Sequence, residues 1–277
     1  MFPRMQRTAR LFSFAALAVS LSGCAGDEVT DVTIELAASV GGEPAQCGRS
    51  YDVGATPSAW TLEDFRLFVH DVRLVTEDGR EVPVALTQDE WQLEDLALLD
   101  FESGGAGCPS GTEATHTSIR GTVPEAGPFT GVRFTVGVPF ERNHGDASTA
   151  PAPLSSTAMF WSWQGGYKFI RIDGRSEALD GGFFLHLGST GCDGDPLTGG
   201  VTRCDAANRM EVSLDGFDPL TETVVVDAAE VFSGSDLTSN EMAPGCMSGP
   251  MDPECPAIFE RLGLAAGSTQ RLFSVAE

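Results

Sequence analysis

Apolar and polar positions alternate along this chain in short bursts separated by glycine, proline and aspartate. Val32, Ile34 and Leu36 alternate with polar neighbours, as do Val132, Phe134, Val136 and Val138, and Met210, Val212 and Leu214. That period of two belongs to half-buried strands. Further strands are predicted over 65–75, 116–123, 168–173, 183–187 and 223–227. Many short strands joined by turn residues predict a mainly β domain, an antiparallel β-sandwich or barrel-like fold with long loops. A short C-terminal helix is predicted where Asp252 can cap, Pro253 suits the first turn, Ile258, Phe259 and Leu262 share a face, and Gly263 stops the run. A second short helix is predicted over 91–99. Residues 31–277 contain no repeat and no linker, so one domain is expected there.

The first 23 residues break the alternation. Arg4, Arg7 and Arg10 precede an apolar run from Leu11 to Leu21, followed by Ser22, Gly23 and Cys24. This is the layout of a secretory signal, and its apolar run is too short to span a bilayer. Small residues directly before Cys24 resemble a bacterial lipobox, which makes Cys24 the expected lipidation site and 24–30 a tether. Ala25, rather than an aspartate, after Cys24 leans towards an outer-membrane lipoprotein facing the periplasm or the surface. The anchor attaches the chain to a membrane without any span of its fold entering the bilayer.

Charge narrows the partners. All 40 acidic residues lie beyond the signal, against 14 of the 17 basic ones, so the exported part carries a net charge of −26. Nucleic acid and anionic lipid surfaces are therefore poor partners. Apart from Cys24 there are six cysteines: Cys47, Cys108, Cys192, Cys204, Cys246 and Cys255. An even number in an oxidising compartment predicts three disulfides. Six cysteines admit 15 pairings; Cys192 with Cys204 and Cys246 with Cys255 would close short local loops, which leaves Cys47 with Cys108. With every sulfur paired no thiolate remains, and a metal would have to be held by nitrogen, oxygen or thioether ligands.

Candidate chemistry gathers in one region. It runs from Val138 through His144, then Met159-Phe160-Trp161-Ser162-Trp163-Gln164-Gly165-Gly166-Tyr167-Lys168-Phe169, and on to Phe184-Leu185-His186-Leu187-Gly188. Imidazole nitrogen suits copper, and neighbouring strands could bring His144 and His186 together. Either histidine alone also reads as an ordinary structural side chain. His70, between Phe68 and Val72, and His116, in a polar threonine-rich stretch, are reserve ligands. Met159 is a reserve thioether, although packing is the commoner use of methionine. The Asp193-Gly194-Asp195 loop lacks the fuller spacing of a calcium loop and reads as a turn.

Several of these stretches together resemble the MbnP-like family. They are Phe65-Arg66-Leu67-Phe68-Val69, Leu98-Leu99-Asp100-Phe101, Gly137-Val138-Pro139-Phe140 with Asn143-His144, the run from Trp161 to Phe169, and His186-Leu187-Gly188-Ser189-Thr190-Gly191-Cys192. Cys192, Cys204, Cys246 and Cys255 match the four-cysteine pattern of that family, described as one half of a metallo-mystery pair. The resemblance implies a secreted copper-binding protein. It implies a MauG-type di-haem partner that oxidises a tryptophan, Trp161 or Trp163, to kynurenine, whose aromatic amine then joins histidines in holding Cu(I). His144 and His186 match the motif histidines. Copper acquisition, storage or delivery is the implied role, with an outer-membrane copper importer as a further partner.

The chain therefore reads as a binding protein and not as an enzyme. No HExxH, GxSxG or Walker-type spacing occurs, and no CxxCH for covalent haem. The alternative is a surface module that binds carbohydrate or protein on an aromatic platform of Trp161, Trp163 and Tyr167.

Overall fold

The computed structural model describes Met1 and residues 29–162, 164–194 and 200–276. The signal, Cys24, most of the tether, Trp163 and Asp195 lie outside the described residues. The organising element is the 19-residue strand Ser58–Thr76. Its residues Trp60 to Leu67 pair with the strand Ile170–Ser176, and Val69 to Thr76 pair with Phe129–Val136. The partner changes at Phe68, which donates its N–H to Phe169 and accepts from Gly137. The strand Gly182–Leu187 extends this sheet beyond Ile170–Ser176, and Met210–Asp215 extends it beyond Phe129–Val136.

A second sheet is ordered Phe273–Val275, Val224–Asp227, Thr30–Val40, Ser118–Val123 and Ala85–Leu86. In Thr30–Val40 the buried residues Val32, Ile34 and Leu36 are separated by exposed ones, so one face packs inward and the other meets water. The two sheets share one core. Phe134 of the first meets Phe273 of the second edge-on at 5.0 Å. The fold is thus mainly β and sandwich-like, and not a closed barrel. It is also not purely antiparallel: Leu36 to Ser39 run parallel to Val224 to Asp227, and Phe184 and Leu185 run parallel to Gly245 and Cys246.

Two helix expectations end differently. The C-terminal helix is present as Cys255–Arg261, two residues later than Pro253 suggested, because Asp252 turns its carboxylate to the N–H groups of Met247 and Glu254. The predicted helix over 91–99 is absent. Gln92–Leu93 and Leu96–Asp100 form a hairpin instead, turning at Glu94 with a φ of +56°. Leu96–Asp100 is buried along its whole length. Both faces are covered, so its apolar run carries no alternation and is indistinguishable by pattern from a buried helix.

Three disulfides staple the loops: Cys47–Cys108, Cys192–Cys204 and Cys246–Cys255. Cys192 and Cys204 face each other across a two-stranded ribbon, Thr190–Gly194 and Val201–Ala206, which belongs to neither large sheet. A second small ribbon, Phe160–Ser162 with Gly166–Tyr167, carries Trp161.

Candidate metal centre

Trp161 lies half-buried on its ribbon with its ring over Gly188. A Cβ at Gly188 would stand 2.6 Å from that ring and 2.8 Å from the carbonyl oxygen of Tyr167, so only glycine allows the indole to sit there. The ring borders a cleft of about 560 Å³ with Ser162, Gln164, Ser189, Cys192 and Met247 among its walls. Its centroid is 6.2 Å from that of His186.

Strand register brings the next residues together. On the strand Gly182–Leu187, His186 pairs with Arg171, and Asp173 is its diagonal neighbour on Ile170–Ser176. His186 Nε2 lies 2.6 Å from Asp173 Oδ1, and the other carboxylate oxygen of Asp173 accepts from Arg171 Nε at 2.8 Å. A carboxylate only accepts, so Nε2 carries the proton of this bond, and a neutral ring keeps its lone pair at Nδ1. Burial works to raise the pKa of Asp173, but the bond and charge of His186 and the neighbouring Arg171 outweigh it and hold the carboxyl below its ordinary value. The polar row continues inward. Arg171 also meets Asp64 at 3.3 Å, and Asp64 is ion-paired with Arg66.

His144 approaches from a different element. It caps the short helix Phe140–Asn143, and its Nε2 accepts from the side-chain amide of buried Asn143 at 3.1 Å. The same Asn143 accepts the Tyr167 N–H at 3.0 Å, which ties His144 to the tryptophan ribbon. His144 Nε2 also lies 3.5 Å from Cys204 Sγ, and this nitrogen and the sulfurs of Cys192 and Cys204 are all within 4.8 Å of one another. The sulfurs are joined in a bridge, so in this state they offer no thiolate. Cys192 borders the cleft of Trp161, and Gln164 Nε2 donates to its carbonyl at 3.0 Å. Among the described residues, no group of three His, Cys, Asp or Glu ligand atoms this close contains both His144 and His186.

The remaining candidates take structural places. His70 donates Nδ1–H to the carbonyl of Gly137 at 2.9 Å, and burial lowers its pKa. His116, in a stretch that reads as exposed, is buried: it donates Nδ1–H to Leu98 at 2.8 Å and lies flat against Trp91 at 5.3 Å. Met159 is fully buried and packs in the core. Tyr167 is also fully buried, donating its hydroxyl to Leu154 at 2.6 Å with its pKa pushed up to about 12 by burial. It cannot belong to an exposed aromatic platform. Lys168, its pKa lowered to about 8 by burial, donates to the carbonyl of Ala158. Asp193 pairs with Arg203 at 2.7 Å.

Three residues of this region escaped sequence reasoning: Asp173, Asn143 as a positioning group, and Met247. Only the Asn143-His144 adjacency left a signal; Asp173 and Met247 reach the site through strand pairing and the Cys246–Cys255 loop.

The family model of MbnP matches residues 29–248. Among solved structures, MbnP from Methylosinus trichosporium superposes with a TM-score of 0.80 at 34% sequence identity, covering 90% of this chain and 99% of that one. No curated protein matches the sequence significantly.

Proposed function

Since the chain belongs to the MbnP family, we propose that it is an exported copper-binding protein and not a catalyst, with His144 and His186 as nitrogen ligands. The observation that carries this reading is the placement of Trp161 beside His186, with Asp173 occupying the Nε2 side of the imidazole and leaving Nδ1 for a metal. The donor set suits copper: two imidazoles, that of His186 oriented by Asp173 and that of His144 held through Nε2 by the Asn143 amide, which a metal would displace. Unmodified indole is a poor ligand because its N–H only donates. In this proposal a MauG-type di-haem partner converts Trp161 or Trp163 to kynurenine, and the aromatic amine so exposed completes the Cu(I) site. The chain would be held to the outer membrane through Cys24 and serve copper acquisition, storage or delivery, with an outer-membrane importer as a downstream partner. Among the described residues no helix is long and apolar enough to cross a membrane, and a lipid anchor requires none.

The test is expression with and without the haem partner, followed by metal analysis and mass spectrometry of the peptide holding Trp161 and Trp163. Ring opening and bound copper are expected only with the partner. Unmodified tryptophans and absence of copper under both conditions would remove the reading.

A further inference from the structure

The Cys192–Cys204 bridge differs from the other two in where it lies. It joins directly opposed residues of a ribbon outside both large sheets, and neither of its cysteines is buried. Cys108 of the first bridge and both Cys246 and Cys255 of the third are no more than 1% exposed. Cys47 is half-buried as Cys192 and Cys204 are, but its bridge partner Cys108 is buried, so only the Cys192–Cys204 bridge offers both of its sulfurs to a dithiol. At their side stands His144 Nε2, an acceptor nitrogen 3.5 Å from Cys204 Sγ. A soft metal with bonds of about 2.0–2.3 Å to nitrogen and sulfur needs three donors about 4 Å apart in a trigonal site. These three atoms already lie within 4.8 Å of one another, and only the two sulfurs need to part.

We propose that His144, Cys192 and Cys204 form a redox-gated Cu(I) site, closed while the bridge is intact and opened by a dithiol reductant. The step balances as thiol–disulfide exchange. A thiolate of the reductant attacks one sulfur of the bridge, the Cys192–Cys204 bond breaks as a mixed disulfide forms, and the second thiol of the reductant displaces it. Two electrons pass from the dithiol to the bridge, and the two protons end on Cys192 and Cys204. Binding of one Cu(I) then releases both protons and leaves two thiolates and one imidazole nitrogen on the ion. The ion competes with the Asn143 amide for the lone pair of His144 and displaces that hydrogen bond. Asn143 keeps its bond to the Tyr167 N–H, so the helix end stays in place. The cluster of Cys47, Cys108 and Glu102 is similarly close but is not equivalent. There the Glu102 oxygens accept from Gly104 and Thr112, and Cys108 is buried.

This site shares His144 with the kynurenine-dependent one, so the two exclude each other on one chain, and it is tested apart from it, on the full chain expressed without a haem partner. The protein is treated with an immobilised dithiol, its free thiols are counted, and Cu(I) is titrated against a chromophoric chelator, with X-ray absorption to identify the ligands. Reduction is expected to free the thiols of Cys192 and Cys204 first and to add one Cu(I) with two sulfur neighbours, whereas the oxidised protein gains none. His144→Ala should leave the bridge and the thiol count unchanged but weaken the added copper at least about tenfold. Cys192→Ser with Cys204→Ser should abolish the gain. Freed thiols that bind no copper, copper indifferent to His144→Ala, or prior reduction of another bridge would each overturn the proposal.

Discussion

Asp173 Oδ1 stands 2.6 Å from His186 Nε2, and this contact leaves the lone pair of the neutral ring at Nδ1. The carboxylate is itself held by Arg171, so the imidazole is oriented by a group that cannot swing away. Carboxylate–histidine pairs of this kind orient and strengthen metal ligands. Asp173→Asn should weaken Cu(I) binding about 10- to 100-fold while the fold remains. Chelator competition measures the affinity, and the nitrogen chemical shifts of His186 report the change of tautomer. Unchanged shifts together with unchanged affinity would assign Asp173 a purely structural role.

Trp161 depends on the absence of a side chain at Gly188. A methyl group there meets the indole at 2.6 Å and a fixed backbone oxygen at 2.8 Å, so the ring must move. Gly188→Ala is expected to destabilise the protein by about 1–3 kcal/mol and to shift the tryptophan fluorescence towards that of a wetter indole. Denaturant unfolding and emission spectra check this, and a native-like spectrum with native stability would contradict it.

The proposed membrane attachment rests on Cys24 alone. Cys24→Ala should release the chain from membranes into the soluble envelope fraction and prevent incorporation of labelled fatty acid. The disulfide-stapled fold should be unaffected, because the sandwich begins at Thr30. Continued membrane association of the variant, measured by fractionation, would require another anchor.

What the sequence made legible follows from how each feature is encoded. Alternation at Val32, Ile34 and Leu36 marks a strand because one face of Thr30–Val40 is wet. Leu96–Asp100 has no wet face, and its turn rests on Glu94, not on a glycine or asparagine, so both the pattern and the turn signal are missing. His186 and Trp161 stand out as residue types within a dense run. Asp173 does not, since it is one acid among many in an acidic chain and meets His186 only through the register of two antiparallel strands. His116 reads as polar surface because its neighbours are threonines, yet it bridges to Asp100 and packs under Trp91.

Asp100 supplies a pH dependence whose sign can be worked out. It is almost fully buried, and burial pushes its pKa up to about 7, with Arg66 opposing and Glu102 reinforcing the rise. The folded chain therefore retains this proton up to about pH 7, whereas the unfolded chain releases it near 3.8. Between those values the folded state binds more protons, so stability falls as pH rises through the window and is least affected below it. Asp173 acts in the opposite sense. Its pKa is lowered on folding, so its contribution is present above the ordinary carboxylate range and is lost as pH falls through its depressed folded value. Asp100→Asn should remove the decline between about pH 4 and 7 and raise stability at neutral pH by a few kcal/mol at most. Asp173→Asn should instead flatten only the acid limb. Unfolding free energies measured across pH 3 to 8 separate the two, and an Asp100→Asn profile that still falls from pH 4 to 7 would place the titrating group elsewhere.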